Sequence, residues 1–84
     1  MNPMIMQLKM RLAQKQKDYN EYKLKASRLI FELQSNINPY FGDELELLKA
    51  EEIEQIGDEM LIVKNKMIEF QKEIKDIKNQ LGED

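Results

Sequence analysis

Apolar side chains recur at alternating three- and four-residue spacings along two long stretches of this chain. The first stripe runs through Ile5, Leu8, Leu12, Lys15, Tyr19, Tyr22, Ala26, Leu29 and Leu33, with one lysine on it. The second runs through Ile53, Ile56, Met60, Val63, Met67, Phe70, Ile74, Ile77 and Leu81. Such spacing holds a row of side chains on one side of an α-helix, and over several heptads it marks a coiled-coil seam. Between the stripes lies Ile37-Asn38-Pro39-Tyr40-Phe41-Gly42-Asp43, where Pro39 disfavours helix in the residue before it and Gly42 favours a turn. The pattern predicts an all-α fold: an antiparallel two-helix coiled-coil hairpin forming one domain over residues 1–84. Helix 1 is expected over about 3–36, the turn over 37–43 and helix 2 over about 44–81.

The ends carry matching signals. Asn2-Pro3 offers a capping side chain followed by proline at the first helical position. Asp43-Glu44-Leu45-Glu46 places acids in an opening turn, and Gly82 follows the last seam residue as a helix stop. At 1.5 Å per residue each helix is roughly 50–57 Å long, so the hairpin is a thin rod.

In an antiparallel pair, a positions face d positions of the other strand. Taking Ile5 and Ile53 as a, Leu8 and Ile56 as d, and folding at Phe41, the register pairs Ile5 with Ile77, Leu12 with Phe70, Lys15 with Met67 and Leu29 with Ile53. The flanking g positions then pair Arg11 with Glu73, Asp18 with Lys66, and Lys25 with Glu59, all opposite in sign, and Glu32 with Glu52. The flanking e positions pair Lys9 with Gln71, Gln16 with Lys64, Lys23 with Gly57 and Ile30 with Ala50, none of them repulsive.

The two broad faces of the rod differ. Only six of twenty e and b positions are charged, Glu54 being the one acid among them. That face collects Met6, Ala13, Ile30, Ile37, Leu47, Ala50, Leu61 and Ile68. A second apolar stripe on a helix calls for a second packing partner, so this face is the expected interface. The simplest product is a homodimer, two hairpins closing into a four-helix bundle about a two-fold axis. Phe31 stands outside this face in an outward row with Met10 and Leu24; it suits either a partner's pocket or a wider bundle interface. Tyr40 and Phe41 mark the turn tip, where a ring is expected to cap the core over Leu33, Leu45 and Leu48.

Charge refines this picture. Residues 1–42 carry seven bases and three acids, whereas residues 43–59 carry eight acids and one lysine. Glu51, Glu54 and Asp58 form an acidic patch that is either a solvated helix face or a site for a basic partner. With net charge −3 and bases spread around helix 1, a nucleic-acid footprint is not expected. Histidine and cysteine are absent, which removes the commonest zinc ligands, disulfides and the usual nucleophile–base pairs. No glycine-rich phosphate loop occurs, and a thin rod offers no deep pocket, so no enzyme activity and no cofactor are expected. Nothing approaches eighteen consecutive apolar residues, so no transmembrane segment is expected and the cytoplasm is the expected location.

These readings converge on a non-catalytic helical interaction protein, a structural or assembly adaptor whose partners are itself and another protein. The alternative is a small regulator or inhibitor that binds a basic, nucleic-acid-binding partner through the acidic segment 43–59. A third reading, membrane-surface binding by residues 1–17, is opposed by Lys15 on the seam.

Overall fold

The computed structural model describes residues 2–36 and 49–82. Two helices account for nearly all of them: α1 over Pro3–Asn36 and α2 over Ala50–Leu81. They pack along one another in antiparallel sense, since α1 residues of rising number meet α2 residues of falling number. The helical hairpin is as expected. The expected turn at 37–43, the expected opening of helix 2 at residues 43–46, and Ile37, Tyr40, Phe41 and Leu47 lie outside the described residues.

Local chemistry explains the helix ends. The Met4 N–H donates to Asn2 Oδ1 at 2.9 Å and the Met6 N–H to the Asn2 carbonyl at 3.1 Å, so Asn2 caps the helix that Pro3 begins. Towards the other end of α1, Ser35 and Asn36 turn their side chains back onto the carbonyls of Phe31 and Glu32. At the start of α2, Lys49 supplies no side-chain cap, and Glu51 and Glu52 place negative charge in the first turn instead. Gly82 closes α2 at φ 77°, a left-handed conformation that costs glycine nothing, and its N–H reaches the carbonyl of Asn79.

The seam is the one the periodicity describes. On α2 the whole d row, Ile56, Val63, Phe70 and Ile77, is buried, with Ile77 only 2% exposed. Leu12 and Leu29 are buried on α1. Tyr22, Ala26, Leu33, Met60 and Met67 pack partly buried around Leu29, Ile56 and Val63.

The register differs from the expected one by a heptad. Phe70 takes the Tyr22 ring on one side, with centroids 5.3 Å apart, and the Lys15 ammonium on the other, 5.6 Å from its centroid. It therefore lies at the level of Tyr19, not Leu12. In the same alignment Leu12 lies opposite Ile77, Ala26 opposite Val63 and Leu33 opposite Ile56. Ile5 loses its expected partner Ile77 and is 41% exposed. The cause is the seam's own repeat: sliding by seven residues keeps every a and d residue in place, so apolar spacing cannot separate the two registers. Flanking charges could have done so, but exposed pairs are each worth only about 0.2–1 kcal/mol.

The expected ion pairs change accordingly. Glu73 pairs with Lys15 at 2.7 Å rather than with Arg11, and Lys66 lies 3.7 Å from Glu69 of its own helix rather than pairing with Asp18. Lys25 places its ammonium 4.3 Å from the Tyr22 ring centroid instead of bonding Glu59. Glu73 Oε2 is shielded from water, with the Lys15 ammonium as its partner. That partnership raises the Lys15 pKa above its ordinary 10.5, the hydrogen bond from Lys15 to Glu73 being the largest cause and desolvation opposing it.

Candidate interaction surface

The d row of α2 turns fully into the seam, while its a row, Ile53, Met60, Met67, Ile74 and Leu81, stays half-buried throughout. The helices are thus rolled about their axes, so that the a row leans toward the neighbouring e and b positions. The result is a shallow apolar groove of about 450 Å³ along the e/b face. Met60, Met67, Tyr19 and Ala26 line its floor, with Leu61, Ile68 and Ile30 along its rim. The groove continues toward the C-terminal end of α2 past Gln16, Ile74, Lys75 and Lys78. Tyr19 and Gln71 border both stretches, and Gln71 Nε2 donates to Tyr19 Oη at 3.0 Å.

Among the residues expected on this face, Leu61 is 58% exposed and Ile68 53%, and both stand on the groove. Ile30 lines it as well, directly across from Gly57. Met6, Ala13 and Ala50 are exposed but lie beyond the groove's lining. Phe31 is 69% exposed, in an outward row with the equally open Met10 and Leu24. Glu51, Glu54 and Asp58 are exposed, and none takes part in an ion pair among the described residues.

Sequence reasoning placed Met60, Met67, Tyr19 and Ala26 in the core alone and missed their second role as groove floor. The available signal was Gly57. A glycine in a helix interior costs roughly 0.5–1 kcal/mol relative to alanine, and a Cβ there would meet nothing within 4 Å. Packing within the hairpin does not account for it. The missing side chain leaves that stretch of the rim bare.

The heptad shift also changes the face's charge. The e rows now set Lys23 level with Lys64 and Lys9 level with Lys78, where neutral partners were expected. The groove is therefore apolar in its floor and bordered by lysine.

The opposite face holds a smaller recess of about 320 Å³ lined by Lys25, Arg28, Glu32 and Glu59 together with Ile62. Tyr22, Leu29 and Val63 also line that recess, and charges of both signs border it. Among the described residues, no three His, Cys, Asp or Glu side chains converge on a metal-sized site, and no helix is long and apolar enough to cross a membrane. No protein-family model, curated protein or solved structure matches the chain.

Proposed function

We propose that this protein is a non-catalytic helical adaptor that works by protein–protein contact through its e/b face, and that it self-associates there into a four-helix bundle. The observation that carries the reading is the groove: half-buried Met60 and Met67 in the floor, exposed Leu61 and Ile68 on the rim. A single seam between two helices buries few side chains, and a chain of this size gains core most readily by pairing. Covering the groove removes Met60, Met67, Leu61 and Ile68 from water together, each fully buried side chain contributing about 1.5–3 kcal/mol.

The test is the solution mass of the full chain, by light scattering during size exclusion, beside the variants Leu61→Glu and Ile68→Glu. Both side chains face outward, so the variants should keep their helicity by circular dichroism while losing mass. Unchanged mass in both would remove the e/b face as the interface. Association that persists in high salt would match apolar contacts, which screening leaves intact.

The alternative, a regulator gripping a basic partner through segment 43–59, is supported by Glu51, Glu54 and Asp58, exposed and in no ion pair among the described residues. Its binding would weaken steeply with salt.

A further inference from the structure

We infer that the occupant of this face is a second copy of the chain, seated with its α2 antiparallel to α2 of the first about a two-fold axis beside Asn65. This deepens the adaptor reading above and rests on it.

The b row of α2, with the e and f residues that flank it, is complementary to its own reversed copy. Read along the helix, it begins with Glu51, Glu54 and Asp58, passes Leu61, Asn65 and Ile68, and ends with Lys72, Lys75 and Lys78. Acids occupy one end, lysines the other and apolar groups the middle. Laid antiparallel on itself with Asn65 near the axis, Leu61 falls opposite Ile68 of the second copy. The same alignment sets Glu54 opposite Lys75 and Glu51 opposite Lys78, and brings Asp58 within one residue of Lys72. One offset satisfies three of these relationships and misses Asp58–Lys72 by a single residue, and the two-fold axis repeats each of them.

Among the described residues, no ion pair consumes these charges. The ion pairs among the described residues are Lys15–Glu73 and Lys66–Glu69, and neither involves Glu51, Glu54, Asp58, Lys72, Lys75 or Lys78. All six stand on α2, with Lys78 half-buried and the other five exposed. The acidic patch and the apolar face, separate features in the sequence, thereby become two parts of one surface. On the α1 side, the middle of the b row offers Ala13, Asn20 and Ser27, small and uncharged.

One contact opposes the arrangement: Lys64 lies next to the axis and meets its own copy.

Charge reversal tests the inference directly. Glu54→Lys with Asp58→Lys makes both ends of the surface basic; Lys72→Glu with Lys75→Glu makes both ends acidic. Each doubly substituted chain should repel itself, raising the dimer Kd about tenfold or more, because every altered contact occurs twice. Mixed in equal amounts, the two should recover dimer mass as a heterodimer. Circular dichroism of each chain alone checks that the helices persist; a variant that loses them is replaced by the corresponding single substitution. If both variants remain dimeric alone while Leu61→Glu is monomeric, the face is right and the antiparallel α2 seating is wrong. If Leu61→Glu is dimeric too, the adaptor face itself fails. A monomeric wild-type chain, or a mixture that stays monomeric, overturns the inference and leaves the face to a different protein.

Discussion

The Phe70 ring is held between Tyr22 and Lys15: the Tyr22 ring approaches edge-on at 68°, and the Lys15 ammonium lies above the Phe70 ring. Both partners stand on α1, so this one α2 side chain joins the helices across almost two turns. Edge-to-face ring pairs contribute about 0.5–1.5 kcal/mol beyond their buried area.

Phe70→Ala should therefore cost about 3–5 kcal/mol, cavity included. A single core of this size rarely supplies more than about 3–5 kcal/mol, so the variant should be largely unfolded at 25 °C. Urea titration followed by circular dichroism checks this. Ile77→Val, which removes one methyl group from the most buried side chain, should cost about 0.5–1.5 kcal/mol and leave the fold intact.

Lys15 supplies a prediction at alkaline pH. Its folded pKa is raised, chiefly by the hydrogen bond to Glu73, so the stabilisation is fully present below the unfolded value near 10.5. It is lost as pH rises through the higher folded value. Stability measured from pH 9 to 12 should fall more in the wild-type chain than in Glu73→Gln, which lacks the partner. Equal slopes would detach the pKa shift from this pair.

Lys15 and Glu73 also show how far the sequence could be read. Lys15 on the seam was visible as an oddity, and its position there is confirmed; its partner was not visible. Seven-residue slippage preserves all the apolar matches, and the charge rule favoured Arg11 for Glu73 on contacts too weak to decide the register. The start of helix 1 was legible because Asn2 and Pro3 are local signals. The e/b face was legible from Leu61, Ile68 and Ile30, whose positions follow from heptad phase alone. The groove floor was not, because the roll that exposes Met60 and Met67 is a property of two packed helices and not of either repeat.

Gly57→Ala should stabilise the hairpin by about 0.5–1 kcal/mol, since the new methyl enters open space in a helix interior. Thermal melts at one fixed protein concentration suffice to detect it. A lower melting temperature would mean that something packs closely against the bare backbone there.

Lys64→Ala should tighten self-association roughly twofold to fivefold by removing a like-charge contact at the proposed axis. Sedimentation equilibrium over a concentration series would measure the shift. Weaker association would point instead to an acidic group of the second copy near Lys64.

The roll of α2 divides its stripe into a fully buried inner row and a half-buried adjacent row, which under the proposed function decides what a folded chain can hold. Substitutions at Ile56, Val63, Phe70 and Ile77 should change the amount of native protein; substitutions at Met60 and Met67 should chiefly change its associations. Met is unbranched and adaptable, suited to a floor that must accept a shape it did not fold against. On the proposed reading, structural integrity and selectivity for a partner are separately adjustable along one helix, a single rotational step apart.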